Sequence, residues 1–249
     1  IDKLKERLSP VASNLIKEKY SIDPENLIFN NGKIYDRDKS DCTLDFEELI
    51  KRAYIEQISL SATGFYRTPD IYFDRNKFKG SPFYYFAYGM AVSEVQVDTF
   101  TGAVKLLRTD ILHDVGDSIN ESIDLGQITG GFIQGLGWCT TEVVKWDKTG
   151  HLLNHSPDTY KIPGIGNVPE IFNVDLLKDS PNPVAIKKSK AVGEPPLMLA
   201  FSVWLAIKDA ISAVDDHKSE PYFELPANNE IILTSIELLK NKTDYIKFL

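Results

Sequence analysis

The chain has 249 residues, 43% of them apolar and 26% charged, an ordinary globular composition that can bury roughly 70–75% of the unfolded surface in one large domain or two small ones. Lys+Arg 28 against Asp+Glu 36 leaves a net charge of −8, which excludes the basic footprint that nucleic acid or an anionic membrane surface requires. The longest apolar run, Leu197 to Ile207, falls short of the ~20 residues of a membrane span, no signal peptide opens the chain, and Cys42 and Cys139 make neither a disulfide framework nor a metal cluster, so a cytoplasmic setting is expected.

The chain starts Ile1-Asp2-Lys3-Leu4 with amphipathic helix already under way, as expected of a piece of a longer polypeptide. Residues 2–20 space Leu4, Leu8, Val11, Leu15 and Ile16 at helical intervals, with Pro10 set to kink or divide the helix. Leu27 to Tyr35 reads as a hairpin around Asn31-Gly32. A helix follows over Asp45–Gln57, with Asp45 and Glu48 in capping-box spacing and Phe46, Leu49, Ile50 and Ala53 on one face. Ser93–Asp98 alternates, Thr99–Gly102 turns, and Val104 to Leu112 returns as a strand. Gln127–Gly137 is Gly-rich and helical, Glu142–Trp146 is expected to pair with His151–Asn154, and Pro196–Val214 is the long core helix. Residues 215–249 read as a polar tail. No repeat appears and βαβ alternation is irregular, so the fold class is α+β: mixed sheets and hairpins with packed helices.

Two stretches carry candidate chemistry. In Ser189–Ala200 (SKAVGEPPLMLA) a glutamate, Glu194, sits between Gly193 and Pro195-Pro196. Pro195 biases the glutamate backbone toward extended conformations, the prolines suit a helix start, and Gly193 leaves room for close approach. The helix dipole favours an ionised Glu194, and desolvation by Leu197, Phe201 and Trp204 opposes it. Such a carboxylate can serve as a general base or simply cap the helix. In Asp124–Gly137, five glycines interrupt a helix at roughly 1 kcal/mol each, a cost that marks close packing of another element or of a ligand. Gln127, at its start, could bond a polar ligand. P-loop and dinucleotide patterns fail, because Leu136 stands where Lys is needed and Thr140 where a third glycine is needed. His151 and His155 flank a strand, His113 reads as a structural hydrogen-bonder, and no G-x-S-x-G elbow supports a Ser-His-Asp triad.

The run SKAVGEPPLMLA, with Leu60–Pro69 (LSATGFYRTP), Pro82–Glu94 (PFYYFAYGMAVSE), Arg108–Gly137 and Thr159–Pro163 (TYKIP) in the same order, resembles the molybdenum hydroxylases of the xanthine oxidase family. The resemblance covers about Ala53 to Val214. Pro195-Pro196 and Ala62–Pro69 favour the xanthine dehydrogenase branch over aldehyde oxidases, and Phe83–Tyr88 with Ile111–Asp114 favours its bacterial type, where the molybdopterin-binding subunit is a separate chain.

The resemblance implies that Glu194 is the general base that deprotonates a Mo–OH group in the oxidation of xanthine or hypoxanthine to urate. Electrons then pass through 2Fe-2S clusters and FAD to NAD, as in purine catabolism. It implies that Gln127, Gly126, Gly193 and Lys190 belong to the molybdopterin (Mo cofactor) site, Lys190 either there or as a support for the glutamate or its loop, with the metal held by the pterin and by no side chain. It further implies that residues 1–249 are the C-terminal part of the molybdopterin-binding domain, inactive alone. The expected partners are the N-terminal half of the same subunit, an iron–sulfur/FAD subunit and a purine, in a hetero-oligomer. Hydroxylation of an aldehyde or another N-heterocycle, or a non-catalytic role in assembly or cofactor handling, remain the alternatives.

Overall fold

The computed structural model describes residues 1–17 and 24–241, which divide into two compact units, Ile1–Asp70 and Ile71–Leu249. In the first unit, helix α1 (Asp2–Lys17) runs through Pro10 undivided. Pro10 faces solvent, while Leu8, Val11, Ala12 and Ile16 are buried; their burial outweighs the backbone bond that the proline removes. The part of the expected helix beyond Lys17 lies outside the described residues. Strands β1 (Leu27–Asn30) and β2 (Lys33–Asp36) form the expected hairpin, with Asn31 and Gly32 at φ 47° and 75°, the paired positive values of a type I′ turn. A third strand, β3 (Lys39–Asp45), adds to β2. Helix α2 (Phe46–Ile55) follows with Asp45 at its N-cap, but no side-chain capping bond forms. Leu49 and Ala53 close the core over Ile34, Cys42 and Leu44, while Phe46 is turned outward.

The second unit opens on the small pair β4 (Tyr72–Asp74) and β5 (Lys79–Ser81). Its main sheet has the order β6-β7-β8. Strands β6 (Gly89–Val97) and β7 (Val104–His113) are antiparallel. Their turn is fixed by the Phe100 N–H donating to Asp98 Oδ1 at 2.8 Å, a bond that, with the Thr101 hydroxyl, lowers the Asp98 pKa. Strand β8 (Ile171–Leu176) lies parallel to β7, so the chain between them crosses over, carrying helix α3 (Glu121–Thr140). The hairpin expected from Glu142 to Asn154 is reduced to a single bridge between Trp146 and Leu152.

The long core helix is two pieces, a 3₁₀ segment Pro195–Ala200 and helix α4 (Phe201–Ser212), prolonged by a short turn to Asp215. Pro195–Asp215 is long and apolar enough to cross a membrane on composition alone, beyond what the Leu197–Ile207 run indicates. In this fold its apolar stripe, Val203, Ile207 and Ile211, packs with Ile128, Phe132 and Leu136 of α3. Residues 215–241 are not simply a polar tail, because they contain helix α5 (Asn229–Asn241), whose Ile232 and Ile236 are completely buried in the same core. Apolar residues at 231–233, 236, 238 and 239 give this segment a helical apolar stripe within the stretch read as a polar tail.

If α5 belongs to the core, Ile232→Ala should destabilise the protein by ~2–5 kcal/mol in urea unfolding. A change within ±0.5 kcal/mol, typical of an exposed position, would show that α5 does not carry the core.

Candidate active site

Helix α3 starts at Glu121, with Asn120 Oδ1 accepting the Ile123 N–H at 3.2 Å. Gln127 therefore lies in its second turn and not at its start. Gln127, Gly131 and Gly135 recur every fourth residue and share one face. A Cβ on Gly131 would stand 3.1 Å from Pro196 Cβ, and one on Gly135 would overlap the Leu197 carbonyl oxygen and lie 2.8 Å from Ala200 Cβ. These two glycines seat the Pro195–Ala200 segment on α3. One turn earlier the same face carries Gln127, whose Oε1 is 3.7 Å from the Cβ position of Gly193. Gly137 serves a different contact, against Glu142 and Pro163, while Gly126 and Gly130 face open space. Packing of another element thus accounts for three of the five glycines, and Gly126 and Gly130 leave an exposed backbone edge.

Glu194 is the residue before the 3₁₀ segment, at φ −101° and ψ −39°. This is a helical conformation, not the extended one that a following proline favours. It is stabilised locally by Leu197 N–H donating to the Glu194 carbonyl at 3.1 Å. The carboxylate makes no capping bond, is exposed, and has no hydrogen-bond partner among the described residues. Of the residues expected to desolvate it, Trp204 stacks on Phe223 at 5.0 Å and donates to the Glu224 carbonyl, and Phe201 is turned partly to solvent. Gln127 and Glu194 therefore present unsatisfied polar groups on either side of Gly193, which suits binding and proton transfer better than capping.

Lys190 differs from its neighbours. Its ammonium is almost wholly buried and paired with Asp114, which is fully buried. Burial pushes the Asp114 carboxyl up, but Lys190, the Gly116 N–H and Ser180 together outweigh it and hold the pKa below the ordinary value. The stability this group contributes is present above the ordinary carboxylate range and is lost as pH falls through the folded value. The Lys190 ammonium is thus engaged with the protein through Asp114. In the sequence Asp114 is only a charge at a strand end, and nothing there pairs it with Lys190. His113, next to it, is buried and its Nδ1 has no hydrogen-bond partner, while a hydrogen bond to the Asp114 backbone favours its charged form. Burial pushes its pKa down.

No group of three or more His, Cys, Asp or Glu side chains among the described residues could hold a metal ion. The neutral amide of Gln127, the open glycine edge at Gly126 and Gly130 and the free carboxylate of Glu194 fit an organic cofactor that carries its own metal. The molybdopterin cofactor-binding domain family matches residues 1–169, and the chain belongs to this family. The match begins at residue 1 and so includes the α1–α2 unit, where the sequence motifs carry little resemblance.

Within that class the similarity is to xanthine dehydrogenase/oxidase: 50% identity over 193 residues with the protein of Felis catus and 51% over 190 residues with that of Gallus gallus, each covering 75% of this chain. The aligned part is 14% of the length of either relative. Quinoline 2-oxidoreductase from Pseudomonas putida 86 shares the fold, with a TM-score of 0.65 at 23% identity over 95% of this chain and 28% of that one.

The glycines of α3 separate two kinds of position. Gly135→Ala must displace backbone and should cost ~1–3 kcal/mol. Gly130→Ala, in open space, should be neutral or stabilise by up to ~1 kcal/mol. Thermal unfolding of the two variants side by side checks the assignment, and equal effects would refute it.

Proposed function

We propose that this chain contributes the general base and part of the cofactor cradle of a molybdenum hydroxylase that converts xanthine or hypoxanthine to urate. The carrying observation is the pair of free polar side chains, Gln127 and Glu194, brought to either side of Gly193 by the glycine face of α3. Identity near 50% with two xanthine dehydrogenase/oxidases supports a purine as substrate. When bound, the molybdenum cofactor supplies the two-electron acceptor for the hydroxylation. The amide of Gln127 and the open edge at Gly126 and Gly193 hold the pterin group. A Glu194 carboxylate oxygen takes the proton from the oxygen nucleophile that adds to the electron-poor ring carbon. An exposed carboxylate with no competing donor is free to do so. Lys190 acts from outside the cradle, through Asp114.

Each hydroxylation adds the oxygen of one water to the purine and releases two protons and two electrons, one such step from xanthine and two from hypoxanthine; the electrons leave through 2Fe-2S clusters and FAD to NAD. These groups, and the rest of the substrate pocket, come from the N-terminal half of the same subunit and from an iron–sulfur/FAD subunit in a cytoplasmic hetero-oligomer. Exposed aromatics such as Phe65 and Phe100, 91% and 89% accessible, agree with surfaces that those parts cover. The isolated chain is therefore inactive.

In the complete enzyme, Glu194→Gln should slow reduction by xanthine by ~10²–10⁴-fold at unchanged molybdenum content, read by rapid mixing under anaerobic conditions. Reduction of both proteins by another heterocycle or an aldehyde, but not by xanthine, would overturn the substrate. An unimpaired variant would overturn the role of Glu194.

A further inference from the structure

We propose that Asp114 is a positioning residue for Glu194: its buried ion pair with Lys190, helped by the Tyr85 hydroxyl, fixes the segment from which the Glu194 carboxylate is aimed. The proposal rests on the reading of Glu194 as proton acceptor given above. It starts from the end of β7. There the Asp114 N–H donates to the Tyr88 carbonyl at 2.7 Å, its Oδ1 accepts the Gly116 N–H at 2.9 Å, and its Oδ2 receives the Lys190 ammonium. The side chain is completely buried and both oxygens are engaged, so its direction is fixed.

The backbone around Lys190 is stitched to the same place. Lys190 N–H donates to the Val115 carbonyl at 2.7 Å, Asp117 N–H to the Lys188 carbonyl at 2.9 Å, and Asn182 N–H to that same carbonyl at 2.8 Å. Gly116, at φ 64°, admits this approach, since a Cβ there would overlap the Lys188 carbonyl oxygen. On the other side of the segment, Ala191 N–H donates to the Tyr85 hydroxyl at 2.9 Å, and the Tyr88 ring lies 5.4 Å from the Lys190 ammonium. Lys187 and Lys188 both stand at positive φ, 60° and 55°. Consecutive left-handed residues other than glycine persist only where their surroundings dictate the conformation.

Glu194 is therefore suspended between two anchors. The upstream one is the Asp114–Lys190 pair with Ala191, and the downstream one is Pro196–Leu197 on the glycine face of α3. Three residues separate Lys190 from Glu194, so little slack remains. A buried ion pair contributes little net stability over a well-packed apolar pair, and its better-attested use is to specify geometry. A general base displaced by about 1 Å can lose on the order of 10²-fold in rate.

The test uses the complete cofactor-loaded enzyme with Asp114→Asn and Tyr85→Phe, each alone and each combined with Glu194→Gln. Turnover of xanthine is expressed per bound molybdenum, and hydrogen exchange is followed in the 189–194 peptide. The expected result for Asp114→Asn is a kcat lower by roughly 10–100-fold with KM within about twofold. Tyr85→Phe should give a smaller loss of the same kind. Neither should lower the rate further once Glu194 is Gln, because each acts only through it. Exchange in 189–194 should rise about tenfold or more while α3 keeps its protection.

Full kcat per molybdenum, or an equal loss in both backgrounds, overturns the proposal, as does unchanged exchange in 189–194. If Asp114→Asn does not accumulate as folded protein, Tyr85→Phe decides by the same criteria. If Glu194→Gln alone leaves turnover intact, the reading of Glu194 itself has failed and the proposal falls with it. Intact loss on Glu194→Gln with none on Asp114→Asn or Tyr85→Phe removes the positioning role only.

Discussion

The Leu197 carbonyl oxygen occupies the space that any side chain at position 135 would need. That contact decides how near the Pro195–Ala200 segment comes to α3, and much of the rest is built around this distance. Two glycines on one face weaken the helix by roughly 1 kcal/mol each, which burial of Ile128, Phe132 and Leu136 on the adjoining face offsets. With the two backbones this close, the next turn of the same face puts an amide beside Gly193. Helix packing through side chains of ordinary size sets axes 8–10 Å apart and would leave Gln127 and Gly193 out of reach of one small ligand.

The polar groups of the region are divided into two sets. Asp114, Lys190, Gly116 and the 188–190 backbone satisfy one another in the interior. The side chains of Gln127 and Glu194 have no hydrogen-bond partner among the described residues. Physically, the first set resists solvent and fixes directions, whereas the second remains available to a ligand. A buried donor or acceptor without a partner is costly, so the free groups stand at the surface, where water serves them until a ligand replaces it.

Much of this was legible in the sequence and some of it was not. Asn31-Gly32 announces its turn because positive φ at both positions suits few other residues. The alternation in 93–98 announces β6 for a similarly local reason. Glu194 and the Gly-rich stretch stand out because a glutamate between Gly and Pro-Pro, and five glycines in a helix, are costly unless something requires them. What sequence could not supply was decided by contacts that no propensity encodes. The helical backbone of Glu194 departs from its pre-proline preference because the following turn recruits its carbonyl. Pro10 leaves α1 whole because the buried stripe holds it. Helix α5 reads as tail because only Ile232, Ser235 and Ile236 are buried, and its partner residues lie far upstream. Asp114 is just one of 36 acidic residues until Lys190 is placed against it.

That last pairing has a consequence for how the protein is made. Asp114 and Lys190 are 76 residues apart, so during synthesis the carboxylate leaves the ribosome well before its counter-ion. An ionised carboxylate is costly to bury alone, so the Asp114 side chain has reason to stay in water until Lys190 has been made and residues 188–191 dock against the end of β7. The pair thus ties burial of that corner to a part of the chain made 76 residues later.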